Sequence, residues 1–124
     1  MILLDTNYLI RALVAGSAEA ERLQAWLADH LDLCTSAIAW YEFCSGPVDE
    51  EGIQLIQAIL EDRIIPYTAA QATETARLFN AVGRPRHLRV DAMLAAAAIT
   101  TSASFATGNT ADFKSFVPFG LTLV

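Results

Sequence analysis

Three carboxylates sit where a charge is hard to accommodate. Asp5 ends the apolar run Ile2–Leu4, Glu42 is the only charged residue within 37–44, and Asp91 is the only one between positions 90 and 104. An ionised carboxylate among apolar neighbours is costly unless it is paired, hydrogen-bonded or coordinated to a metal. Cations are scarce, with 8 Lys plus Arg against 14 Asp plus Glu, and Arg11 is the only basic residue close in sequence to Asp5 or Glu42. Singly, each has an ordinary use: Asp5 as a turn former, Glu42 as a solvent-facing helix residue, Asp91 as a first-turn carboxylate on a helix dipole. The segment Thr107-Gly108-Asn109-Thr110-Ala111-Asp112 adds a fourth oxygen-rich group, although Asn and Asp also make turns and caps. Three or four hard oxygen donors without His or Cys suit Mg²⁺ or Mn²⁺ rather than zinc, so the chemistry on offer is that of a hard divalent metal. Glu19, Glu21, Asp49, Glu50, Glu51, Glu61, Asp62 and Glu74 fall on polar helix faces or helix starts and are expected to be solvated.

The elements that would carry these groups can be read from hydrophobic period and punctuation. Ile2–Leu4 is a short buried strand that stops at Asp5-Thr6-Asn7, read as a turn. Apolar residues at three- and four-residue steps give a helix over 19–31, and 31–35 follows as a second strand. Ser36 can cap a helix over 37–45, stopped by Gly46-Pro47. Six residues beyond Ser36, Glu42 would lie about 9 Å up that helix, within reach of the rim where Asp5 sits. A helix over 50–62, a strand over 63–67 and a helix over 68–82 closed by Gly83 and Pro85 come next. A loop with Arg84, Arg86, His87 and Arg89 precedes a helix over 90–101 that is apolar nearly all round, as a central helix must be. Strands over 104–107 and 121–124, with a short helix over 112–116 between them, complete the chain. Short strands alternating with longer helices predict one α/β domain over 1–124, a three-layer α/β/α sandwich with a mostly parallel central sheet. In such sheets, sites form outside the carboxyl ends of the strands, where the strand order reverses.

The sequence resembles the PIN-domain ribonucleases, and most of all the VapC-like toxins of bacterial and archaeal toxin–antitoxin pairs. The resemblance rests on Asp5-Thr6-Asn7 after the first strand, Glu42 in Ser-Ala-Ile-Ala-Trp-Tyr-Glu-Phe, Asp91 in Val-Asp-Ala-Met-Leu-Ala-Ala-Ala-Ala, and Thr-Gly-Asn-Thr-Ala-Asp-Phe. Four motifs match in order and in gap, from Asp5 to Asp112. The resemblance implies a metal-dependent endoribonuclease using Mg²⁺ or Mn²⁺, with Asp5, Glu42, Asp91 and a fourth residue in its catalytic site. That fourth residue maps to Asp112, or else to Asn109, in which case one negative charge is missing. Asp5, Asp91 and Asp112 are the implied metal ligands, with Thr6, Asn7 and Asn109 orienting them. A phosphodiester is repelled by carboxylates alone, so the metal must invert the local charge and lower the pKa of the attacking water. The family implies in-line attack leaving a 3′-hydroxyl, a cognate antitoxin, and a homodimer. Arg84, Arg86 and Arg89 are read as guides for the RNA backbone, against the plainer reading of an exposed loop paired to acidic surface. Trp26, Trp40, Tyr41 and Phe43 are candidates for an antitoxin groove, with core packing competing for at least half of them.

Composition bounds the alternatives. With 54% hydrophobic and 18% charged residues the chain is expected to fill a core, and its charge of −6 excludes holding nucleic acid by bulk attraction. The longest apolar run, 92–99, is far short of a membrane span, and the start of the chain does not read as a secretion signal, so a cytoplasmic protein without a membrane partner is expected. Cys34 and Cys44 lack metal spacing and read as reduced, buried thiols. A phosphoacceptor receiver domain is disfavoured by the single acid after the first strand and by Lys114 as the only lysine, and a dinucleotide enzyme by the lack of GxGxxG. A PIN-like binding domain that has lost its metal is the remaining alternative.

Overall fold

The computed structural model describes residues 1–124. Four strands, β1 (Ile2–Leu4), β2 (Leu33–Ser36), β3 (Ile64–Ile65) and β4 (Ser104–Ala106), form one sheet in the order β3-β2-β1-β4. Every pairing is parallel, with Leu3 opposite Cys34 on one side and Phe105 on the other. Parallel neighbours need crossovers, and seven helices flank the sheet to supply them: α1 (Thr6–Arg11) and α2 (Ala18–Ala28), α3 (Ala37–Cys44) and α4 (Glu50–Ile59), α5 (Ala69–Ala81) and α6 (Arg89–Thr100), then α7 (Thr110–Phe113) after β4. This is the α/β/α sandwich expected from the sequence, with the sheet wholly parallel. From β1 the chain builds outward through β2 and β3, then returns to place β4 on the other side of β1, so the strand order reverses between β1 and β4.

The centre of the sheet is buried, as in helix-covered parallel sheets, while the edge strand β3 is half-buried. β1 and β2 are buried at every position, and the Thr35 hydroxyl satisfies itself by donating to the Leu4 carbonyl at 2.8 Å. α6 lies in the interior as its all-round apolar pattern predicts, with Ala92 and 94–98 buried. Small side chains there allow close approach, and α6 packs along α5. Ser17, Ser36, Asp49 and Thr68 each accept a backbone N–H at a helix start, which fixes where α2, α3, α4 and α5 begin. Gly83, at φ 91°, takes the left-handed conformation that ends α5, where a residue with a Cβ would be strained.

Several boundaries depart from the sequence reading. The Asp5-Thr6-Asn7 turn is the start of helix α1, with the Asp5 carboxylate as its cap. α2 stops at Ala28, and His30 turns left-handed at φ 58° before β2. α4 ends at Ile59 because Glu61 and Asp62 both have positive φ. The helix expected over 112–116 begins at Thr110 and passes into a 3-10 helix, Lys114–Phe119. Residues 121–124 do not form a full strand; a single bridge joins Leu123 to Phe105, through Phe105 N–H to Thr122 and Val124 N–H to Phe105. Cys34 is buried with its thiol pushed up to about 11, chiefly by burial, whereas Cys44 is exposed, contrary to expectation. No helix is long and apolar enough to cross a membrane.

Because Ala96 is fully buried, Ala96→Leu should overpack the α6 interior and cost about 1–3 kcal/mol. Urea unfolding measures this, and a midpoint equal to wild type would mean that α6 has slack.

Candidate functional site

The carboxyl ends of β1 and β4 meet at Asp5. Its backbone N–H donates to the Ala106 carbonyl at 3.0 Å, and its side chain, 6% exposed, is held at both oxygens. Oδ1 accepts from the Thr6 N–H at 2.7 Å, and Oδ2 accepts from the Thr107 hydroxyl at 2.7 Å. Thr107 in turn accepts the Asn109 N–H at 2.9 Å, so one buried hydroxyl links the carboxylate to the loop after β4. Burial raises the Asp5 pKa, and the Thr107 and Thr6 hydrogen bonds partly oppose that by favouring the charged form.

Glu42 arrives from α3. It is exposed, against the expectation that it would lie among apolar neighbours, and its Oε1 accepts from the Thr6 hydroxyl at 3.1 Å. Asp112 sits in the first turn of α7, where its Oδ2 accepts from the Asn109 amide at 2.7 Å. Asp91 is in the first turn of α6, half-buried. Its pKa rises to about 6, first from burial, then from the negative charges of Asp112, Asp5 and Glu42, with His87 pulling the other way. Four carboxylates from four different elements therefore share one electrostatic rim at the strand-order reversal. Asn7 is exposed on α1, and its side chain is hydrogen-bonded to none of them.

The rim is open rather than pocketed, since none of the surface cavities is lined by these four residues. No three of the acids stand close enough to grip one ion together. The donor chemistry still fits a hard divalent cation: all are oxygen donors, and the repulsion that raises Asp91 is what a cation would relieve. Mg²⁺ keeps several waters and takes one or two carboxylates, so it does not require a closed cage.

Arg84, Arg86 and Arg89 are all exposed, and none is ion-paired. Arg84 donates to Asn80 Oδ1 at 2.6 Å, with its guanidinium 5.6 Å from the centre of the Phe79 ring. Of the four aromatic groove candidates, Phe43 is fully buried, Trp26 and Trp40 are half-buried, and Tyr41 is 71% exposed. Two contributors had no assigned part in the sequence reading. Thr107 opens the Thr-Gly-Asn-Thr-Ala-Asp-Phe segment, but nothing local marks it as the partner of Asp5; His87 sits in the 3-10 turn Arg86–Leu88 ahead of α6, and the sequence reading gave it no part at the rim.

A family model described as the PIN domain matches residues 2–116. Among solved structures, the chain is similar to one in FitAcB from Neisseria gonorrhoeae, at 26% identity and TM-score 0.73, covering 99% of this chain and 96% of that one. It is also similar to a chain of a toxin–antitoxin complex from Klebsiella pneumoniae, at 25% identity and TM-score 0.73, covering 91% and 90%. VapBC2 from Rickettsia felis, bound to a DNA fragment from their promoter, contains a chain with the same fold at 22% identity and TM-score 0.70, covering 100% and 98%. No curated protein sequence matches the chain.

The Asp91 shift carries a pH dependence with a definite sign. Its folded-state pKa of about 6 lies above the ordinary carboxylate value, so the native state holds the proton more tightly, and the chelator-treated protein should gain stability as pH falls through that value. Asp91→Asn should raise metal-free stability at about pH 7.5 by on the order of 1 kcal/mol, discounted for partial exposure, and flatten the gain on moving to about pH 5. Urea midpoints at the two pH values measure both effects. A destabilised variant with the wild-type pH slope would place the repulsion elsewhere.

Proposed function

The chain belongs to the PIN-domain family, and on that premise we propose that it is a metal-dependent endoribonuclease, the toxin of a toxin–antitoxin pair. The convergence of Asp5, Glu42, Asp91 and Asp112 on the strand-order reversal supports this reading most strongly, because the charges of Asp112, Asp5 and Glu42 bear on the half-buried Asp91 and a cation there would relieve them. Asp5, Asp91 and Asp112 are the proposed groups for holding Mg²⁺ or Mn²⁺, one or two of them directly and the rest through waters that the ion keeps, and Glu42 completes the catalytic set. When bound, the ion would neutralise the non-bridging oxygens of an RNA phosphodiester and make water a stronger acid.

The chain's own groups prepare that site. Thr107 and the Thr6 N–H hold both Asp5 oxygens, which fixes the carboxylate's plane. The Thr6 hydroxyl orients Glu42, and the Asn109 amide orients Asp112. That last hydrogen bond favours Asp112 as the fourth acid, with Asn109 positioning it. Arg86 and Arg89, exposed and unpaired just before Asp91, suit the approach of a phosphate backbone. Arg84 joins them if it leaves Asn80. The similarity to FitAcB and to a Klebsiella toxin–antitoxin complex supports a cognate antitoxin as partner. A homodimer acting on RNA in the cytoplasm completes the proposal.

RNA cleavage should require Mg²⁺ or Mn²⁺ and stop in excess EDTA, and full activity in EDTA would overturn the reading. Asp5→Asn and Asp91→Asn should each lower the cleavage rate roughly 100-fold or more with added metal, since a missing ligand removes both positioning and charge stabilisation. Wild-type cleavage by Asp91→Asn would remove that residue from the site. For the basic loop, replacing Arg84, Arg86 and Arg89 together with Ala should weaken RNA binding at low salt. The log-log salt slope should flatten by about 0.7 for each phosphate that is no longer neutralised, and an unchanged slope would leave the loop as plain surface.

A further inference from the structure

One surface cavity combines cations with an aromatic wall. It lies between α5 and α6, has a volume of about 400 Å³, and is lined by Phe79, Asn80, Arg84, Arg89, Met93 and Ala76 among others. That volume falls in the range of about 300–1,000 Å³ typical of small-molecule sites. We propose that this groove is a nucleotide subsite, where the base of a single-stranded RNA residue lies against Phe79 and Met93 and its phosphate meets Arg84 and Arg89. The inference rests on the ribonuclease reading and extends it to a second point of attachment on the same strand.

Charge distribution is the first support. RNA is repelled by a chain of net charge −6, so it must be met by cations that have no acidic partner. Arg11, Arg63 and Arg77 are spent on ion pairs, and Arg22 donates to the Tyr8 hydroxyl and lies over Trp26. Arg84, Arg86, Arg89 and Lys114 remain, and the α5–α6 groove is the cavity with two of them in its wall.

The second support is the shape of the walls. Ala72 and Ala76 are small and exposed, leaving a floor along α5, while Phe79 and Tyr67 give aromatic faces and Met93 a polarisable one. The Arg84 guanidinium lies 5.6 Å from the centre of the Phe79 ring, so turning it toward a phosphate opens that aromatic face to a base. The Tyr67 and Thr75 hydroxyls bond each other and Asn80 Oδ1 accepts from Arg84, which leaves the Asn80 amide N–H groups to meet a base edge.

Position links the groove to the rim. Arg89 precedes Asp91 by two residues, about 3 Å along the axis of α6 but on a different face. A strand with one phosphate at the carboxylate rim and a neighbouring nucleotide in the groove would pass over the start of α6, where no side chain caps the helix. Base stacking on aromatic groups is tolerant of sequence, so the groove would add affinity and a modest base preference.

The test plugs the groove without touching the rim. Ala76 is exposed, so Ala76→Trp should fill the floor and leave the core intact, and Phe79→Leu keeps apolar volume but removes the π face. Binding in EDTA is followed by fluorescence anisotropy with a labelled single-stranded RNA oligonucleotide and with the same backbone made abasic. Both variants should bind the base-bearing RNA about five-fold or more weakly, the lower end of one stacking interaction, and bind the abasic strand as wild type does. Equal weakening on both strands, or none on either, overturns the subsite. If Ala76→Trp cleaves and binds RNA as wild type does, the subsite fails while the ribonuclease reading stands; if wild type neither binds nor cleaves RNA, both fail. A changed sedimentation mass for Ala76→Trp would make the groove an interface between copies of the chain and overturn the assignment.

Discussion

A carboxylate that is 6% exposed must find its hydrogen bonds inside the protein, and Asp5 finds one at each oxygen. One donor is the next residue along the chain. The other, Thr107, is 102 residues away, at the end of the strand that the chain adds last to this sheet. Removing a partner from a buried polar group costs about 1–3 kcal/mol, more when the group is charged, so the Asp5–Thr107 hydrogen bond ties the β1–β4 pairing to the electrostatics of the rim. The same carboxylate caps α1, and α1 presents the hydroxyl that holds Glu42. Helix start, strand pairing and acid placement thus share one charged side chain.

Around it, the protein accepts unfavourable electrostatics in a confined region. Elsewhere its acids are exposed, cap helices or pair with Arg11, Arg63 and Arg77. At the rim they oppose one another, and the half-buried Asp91 bears the effect. The cost is offset by a core that includes β1, β2 and the interior of α6.

Much of the architecture was legible in the sequence because local chemistry and tertiary role agreed. Ser36 caps α3, Gly83 ends α5, and the alanine-rich run of α6 is buried as its composition requires. Where they diverged, the reading failed for identifiable reasons. Asp, Thr and Asn favour turns and helix caps alike, so 5–7 looked like a turn although Asp5 begins a helix. Leu121 to Val124 has the composition of a strand, yet only one bridge forms after the left-handed turn at Gly120. Apolar context misjudged the side chains of Glu42 and Cys44, because neighbours in a short helix do not say which face meets solvent. The candidate acids could be singled out by their isolation in sequence. Their partners could not, since the Thr6–Glu42 and Thr107–Asp5 bonds span 36 and 102 residues and nothing local encodes them.

The strand order also has a temporal side. Three parallel pairings close through crossovers of tens of residues, a topology rich in distant contacts that folds more slowly than one built from neighbours. Translation delivers Asp5 102 residues ahead of Thr107, with Asn109 and Asp112 later still. Until then Asp5 has no hydroxyl from β4, and Asp91 has no neighbour from α7. A growing polypeptide still on the ribosome therefore carries a partial rim until β4 and α7 have emerged.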